Sequence, residues 1–170
     1  AIKKAGFRYV VMTAKHHDGF ALWPSATTSF SVAGSPWRNG QGDVVGEFVQ
    51  ACKKYGLAVG LYYSPYDASC PSYDDPTAYD DYFITQISEL LEPYGPIDIL
   101  WFDGCGSEGH AYDWKRIIAE IRRMQPHILL FEQGDPDFRW IGNEDGLAPL
   151  NVSSVVTTDE QQVWLPAECD

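Results

Sequence analysis

The sequence predicts an α/β fold on a parallel sheet, and three observations carry that prediction. Short runs rich in Val, Ile, Leu and Tyr alternate with longer segments whose apolar residues recur at helical spacing. Each helical segment is bounded by an Asp or Pro at its start and a Gly or Pro at its stop. A helix between successive strands forces parallel pairing through right-handed crossovers.

The elements follow in order. Ala1 to Gly6 reads as the end of a helix entering a strand, Phe7 to Thr13 (FRYVVMT). A glycine-rich loop, Gly34 to Gly42, leads to Asp43 as N-cap of a helix with Val45, Phe48, Val49 and Cys52 on one face and Gly56 as its stop. Leu57 to Tyr63 (LAVGLYY) is the second strand. A helix from about Pro76 carries Tyr79, Tyr82, Phe83, Ile87, Leu90 and Leu91 on one face and ends at Pro93, and Ile97 to Phe102 is the third strand. Asp113 caps a helix with the stripe Trp114, Ile117, Ile118, Ile121 and Met124, stopped by Pro126, and His127 to Phe131 (HILLF) is the fourth strand.

Four β/α units are half of a (β/α)8 TIM-like barrel, which takes about 250 residues. A small open sheet is the competing arrangement. A helix end at Ala1 and a polar stretch running to Asp170 favour the barrel. Residues 1–170 are therefore expected to be part of a single catalytic barrel domain, truncated at both ends.

Composition removes several classes of function. A formal charge of −12, from 24 acidic against 12 basic residues, is the wrong sign for binding a phosphate backbone. No run approaches the roughly 18 apolar residues that span a bilayer. Cys52, Cys70, Cys105 and Cys169 form no Cys-x-x-Cys pair for zinc or redox chemistry. Six Trp, ten Tyr and eight Phe exceed what a core of this size uses, and aromatic faces stack on the apolar side of a sugar ring.

The chemistry gathers at the C-terminal strand ends, where barrel enzymes carry their sites. The strands run into Lys15-His16-His17-Asp18-Gly19-Phe20, Tyr62-Tyr63-Ser64, Trp101-Phe102-Asp103-Gly104 and Glu132-Gln133-Gly134. Asp103 ends a hydrophobic strand at a glycine turn, as a nucleophile would; an Asp before Gly is also an ordinary turn former. His16, His17 and Asp18 could ligate a metal. Neighbours on an extended strand point to opposite faces, however, so the chain must leave strand geometry for both histidines to meet one ion. Ser64 lacks the Gly-x-Ser-x-Gly setting of a serine nucleophile. Tyr62 and Tyr63 differ only in which face of the strand meets the barrel axis.

Lys15-His16-His17-Asp18-Gly19-Phe20-Ala21-Leu22-Trp23, then Gly60-Leu61-Tyr62-Tyr63-Ser64, then Trp101-Phe102-Asp103-Gly104, resemble the α-L-fucosidases of glycoside hydrolase family 29 over nearly the whole chain. The resemblance implies a cofactor-free retaining barrel hydrolase that removes terminal α-L-fucose from oligosaccharides or glycoconjugates. Asp103 matches the nucleophile. Asp137-Phe138-Arg139-Trp140-Ile141-Gly142-Asn143-Glu144 resembles the branch acting on α-1,3- and α-1,4-linked fucose, which makes Glu144 the acid/base, with Glu132, Asp135 and Glu168 as rivals. The same carry-over puts His16, His17, Tyr62, Trp101 and Arg139 on the sugar and Trp23 close by, and implies a secreted, periplasmic or lysosomal parent. The family's earlier strand with a further histidine has no counterpart in these residues.

Elementary chemistry agrees with that division of roles. Glycoside cleavage passes through an oxocarbenium-like state that one carboxylate traps while a second acid protonates the leaving oxygen. The 6-deoxy carbon needs an apolar niche, for which Phe20, Trp101 and Trp140 are candidates, and the hydroxyls need oriented donors and acceptors. Two other classes compete: a carbohydrate-binding relative without turnover, and a metal-dependent barrel hydrolase using His16 and His17.

Overall fold

The computed structural model describes residues 1–158 and 161–169. Strands β1 (Tyr9–Lys15), β2 (Ala58–Tyr63), β3 (Ile99–Phe102) and β4 (Leu129–Phe131) form one sheet in that order, every neighbour parallel. Helices α1 (Val44–Tyr55), α2 (Pro76–Leu91) and α3 (Trp114–Met124) make the three crossovers.

Each helix starts where its sequence says. Asp43 accepts from Gly46 N at 2.8 Å, Asp75 from Thr77 N and Ala78 N at 3.1 Å each, and Asp113 from Arg116 N at 3.0 Å. Such a cap stabilises a helix by about 1 kcal/mol. Gly56 ends α1 in the left-handed conformation, φ 64°.

Strand parity then sorts the side chains. Leu61, Leu100, Leu130, Tyr63 and Phe102 are fully buried under the helices, packed with Phe83, Ile87 and Ile117. The alternate residues line the opposite face in register, Thr13 with Tyr62, Tyr62 with Trp101 and Trp101 with Phe131. No helix covers that second face among the described residues. Its lower half is a groove of about 560 Å³ lined by Tyr9, Ile99, Leu129, Phe138 and Glu168, as on the inner wall of a barrel.

All four strands begin later than their sequence runs, β2 by a single residue at Ala58, since Leu57 N still bonds back to Cys52 O. β1 starts at Tyr9 rather than Phe7, because Gly6 closes a short 3-10 turn at φ 96° and Phe7 N still bonds back to Ile2 O. β3 starts at Ile99, because the Asp98 carboxylate takes Val59 N at 2.7 Å in place of a ladder carbonyl. β4 starts at Leu129, with Ile128 N still turned back on Gln125 O. β1 also runs to Lys15, across an irregularity between Thr13 and Lys15.

Beyond β4 the chain contains pairings that its polar sequence does not announce. β5 (Arg139–Trp140) lies parallel to β8 (Ala167–Glu168), and β6 (Val155–Thr158) pairs antiparallel with β7 (Gln161–Trp164). These strands are two to four residues long, and β7 is exposed throughout. They are too short and too wet to leave a period-2 pattern.

Candidate active site

The ends of β1, β2 and β3 converge on Asp103. The residue directly follows β3, and Cys105 N donates to Oδ1 at 2.9 Å in a tight side-chain turn. The Tyr62 hydroxyl donates to Oδ2 at 2.7 Å, and His17 Nε2 lies 3.5 Å from the same oxygen. The Asp103 side chain keeps 25% of its surface exposed, so the carboxylate is both held and reachable. Burial, then the bond to Asp103, pushes the Tyr62 hydroxyl well above its ordinary value, which keeps it a proton donor.

The histidines meet because the strand stops at Lys15. Gly19 N bonds to His16 O at 3.0 Å, closing a turn that carries both rings to the same side at a centroid distance of 4.2 Å. His17 Nδ1 sits 2.6 Å from Ser64 Oγ. Burial lowers the His17 pKa below the ordinary histidine value, although the Asp103 charge acts the other way. His16 stacks on Tyr62 at 5.3 Å and 14°.

That contact begins a ladder of rings along the open face. Tyr62 stacks on Trp101 at 5.3 Å, and Trp101 on Phe131 at 4.1 Å and 19°. The strand register produces it, since Tyr62, Trp101 and Phe131 are successive ladder partners. Of the two tyrosines, Tyr62 therefore faces the barrel interior beside Asp103, and Tyr63 is fully buried under the helices.

A second polar cluster lies beneath the rim, where sequence reasoning did not look. Lys15 and Asp67 are both fully buried, with Nζ 2.9 Å from Oδ2 and 3.0 Å from the Tyr63 hydroxyl. Asp67 Oδ1 accepts from Ser69 N and Oγ. Gly19, at φ 84°, passes so close that an added Cβ would stand 2.2 Å from Asp67 Oδ1. Lys15 looked like one more rim residue in the sequence. The β1 irregularity turns it inward, toward Tyr63; the one local hint was a glycine two residues past the histidines.

Other expected residues are placed differently. Trp23 does not reach the site: it is 1% exposed, and its indole N–H donates to Glu89 Oε2 at 2.8 Å, so it braces the β1 loop against α2. Arg139, on β5, is half-buried and donates to the Ser153 carbonyl. Glu144 is exposed on the loop after β5. Among the described residues no hydrogen bond or ion pair joins either of them to Asp103. Of the rival carboxylates, Glu132 accepts from Trp140 N at 2.7 Å, Glu168 approaches the Trp101 indole N–H at 3.4 Å, and Asp135 is exposed. Phe20 packs edge-on against Phe30 at 5.0 Å.

A parallel β/α sheet that delivers a carboxylate, two histidines and a ring ladder to one rim has the architecture of a (β/α)8 catalytic barrel. The chain belongs to the alpha-L-fucosidase family, whose model matches residues 1–135. Alpha-L-fucosidase 1 of Arabidopsis thaliana is 39% identical over 188 residues, covering 99% of this chain and 37% of that protein. A glycoside hydrolase 29 family member from an unknown rumen bacterium superposes with a TM-score of 0.87 at 38% identity, over 99% of this chain and 36% of that one. AlfC of Lactobacillus casei, an alpha-L-fucosidase solved in complex with alpha-L-fucose product, superposes with a TM-score of 0.70 at 29% identity, over 84% of this chain and 54% of that one. The chain thus spans well under half the length of the curated relative, and its sheet is part of the family's catalytic barrel.

Proposed function

We propose that the protein removes terminal α-L-fucose, α-1,3- or α-1,4-linked in branched oligosaccharides or glycoconjugates, with retention of configuration. Asp103 attacks the anomeric carbon while the Glu144 carboxyl gives its proton to the departing oxygen. Glu144, now a carboxylate, takes a proton from water as that water displaces Asp103. His16, His17, Tyr62 and Trp101 border the sugar, and Arg139 approaches it from β5.

The observation that carries this reading is the setting of Asp103: a carboxylate at a strand end, held at one oxygen by Cys105 N and at the other by Tyr62. A carboxylate held at both oxygens and still 25% open is placed to meet a substrate atom. The test is hydrolysis of an aryl α-L-fucoside and of a Lewis-type oligosaccharide by the full-length protein.

Glu144 has its own signature. Glu144→Ala is expected to lower kcat/KM on the oligosaccharide by roughly 10²- to 10⁴-fold. An aryl fucoside with an activated leaving group should lose far less. Equal losses on both substrates would move the role to Glu132 or Glu168.

One observation favours a second reading. Ligand atoms of His16, His17 and Asp103 lie within 4.8 Å of one another, so the turn after Lys15 does what a three-ligand metal site requires. The Asp103 oxygen nearest His17 already accepts the Tyr62 proton, however, and Nδ1 of His17 is engaged by Ser64. Turnover is therefore expected to be unchanged after exhaustive chelation. Loss on chelation with recovery on added zinc would select the metal-dependent hydrolase.

A further inference from the structure

We propose that Ser64 is a positioning residue that fixes His17 in its Nδ1–H form, so that Nε2 offers a lone pair to a substrate hydroxyl beside the anomeric carbon. The inference rests on the reading of Asp103 as nucleophile and adds to it a residue outside the reacting groups.

The argument is a count of protons. Ser64 is fully buried, and its Oγ has two polar neighbours, Tyr66 O at 2.7 Å and His17 Nδ1 at 2.6 Å. A hydroxyl has one proton to give, and a carbonyl can only accept. The serine proton therefore goes to Tyr66, and the hydrogen in the contact with His17 must come from Nδ1. Main-chain bonds hold both partners in place, from Ser64 N to Lys15 O and from Ala68 N to His17 O, each 2.9 Å.

The other ring nitrogen faces the chemistry. Nε2 lies 3.5 Å from Asp103 Oδ2, which already takes the Tyr62 proton at 2.7 Å. Charged and titratable groups around the ring include Asp103, His16, Asp18, Glu108 and Tyr66. A group this close to the attacking oxygen reaches only the immediate neighbours of the anomeric carbon. Of these, the leaving oxygen departs on the face opposite Asp103, and the ring oxygen carries no hydrogen. The third bears a hydroxyl, whose hydrogen bond strengthens as positive charge grows in the transition state. An Nδ1–H imidazole accepts that bond; the opposite tautomer would aim an N–H at it and could not.

The first measurement is the nitrogen spectrum of the full-length protein labelled with ¹⁵N-histidine, with His17→Gln to assign the signal. Neutral His17 is expected to show a protonated Nδ1 and a bare Nε2; the reverse pattern overturns the proposal and needs no folded variant. Turnover gives the second. Ser64→Ala should lower kcat/KM on an aryl α-L-fucoside on the order of tenfold to a hundredfold, as loss of a partner that orients a histidine does elsewhere, and Ser64→Thr should restore it. On the 2-deoxy analogue Ser64→Ala should cost nothing further, whereas equal losses on both substrates would reduce Ser64 to packing. If the wild type cleaves no α-L-fucoside, the functional reading falls, and the nitrogen spectrum still decides the role of Ser64.

Discussion

Asp103→Ala in the full-length protein is expected to lower kcat/KM for an aryl α-L-fucoside on the order of 10⁴-fold or more, the scale on which loss of a nucleophile ordinarily reads. The neighbours explain why nothing replaces it. Oδ2 is the acceptor for Tyr62 and the atom nearest His17, so the alanine leaves two polar groups aimed at an empty space. Azide then separates nucleophile from acid. Entering in place of Asp103, it attacks the substrate directly and yields the β-fucosyl azide. In Glu144→Ala it attacks the fucosyl-enzyme and yields the α-azide. Normal turnover by Asp103→Ala would remove Asp103 from the mechanism.

The largest expected effect on stability lies at Lys15 and Asp67. Breaking a buried ion pair from one side typically costs about 3–5 kcal/mol, because the remaining charge is stranded away from water. Asp67→Asn and Lys15→Met should each move the denaturation midpoint on that scale, and the double replacement Lys15→Met with Asp67→Leu should recover much of the loss. Burial alone would raise the Asp67 pKa, but Lys15 and Ser69 together hold it below the ordinary aspartate value. The sign of the pH dependence follows. The contribution is complete above the unfolded-state value near 3.8 and is lost as pH falls through the lower folded-state value. Asp67→Asn should therefore flatten the acid limb of the stability curve. An unfolding free energy within about 0.5 kcal/mol of wild type, the ordinary scale of a surface change, would show that water reaches the pair.

The fold was legible wherever a local signal had the period or punctuation of its element. The caps at Asp43 and Asp113, Gly56, and the apolar stripes of α2 and α3 stand where they were read. Strand starts slipped where a side chain or turn replaced a ladder bond, as at Asp98 and Gly6, because that substitution depends on a neighbour distant in sequence. That the residues after β1, β2 and β3 gather on one rim was legible, because parallel strands place all their C-terminal ends there, whereas the choice of Tyr62 over Tyr63 was not, since the neighbouring strands set which face it takes. Trp23, carried over from the resemblance as a neighbour of the sugar, is buried against Glu89 on α2, a partner 66 residues away that no local pattern announces. The Lys15 and Asp67 pair stayed hidden, since the irregularity that turns Lys15 inward leaves only Gly19 as a local mark and Asp67 lies 52 residues away in sequence.

The two carboxylates assigned to the reaction rest on unequal foundations. Asp103 is tied to the sheet through Tyr62 and its own turn, whereas Glu144 sits on an outlying loop. Inheritance can revise the second while leaving the first untouched. Under the proposed mechanism, a change in the loop of Glu144 alters what meets the leaving group while the hold on Asp103 stays as it is.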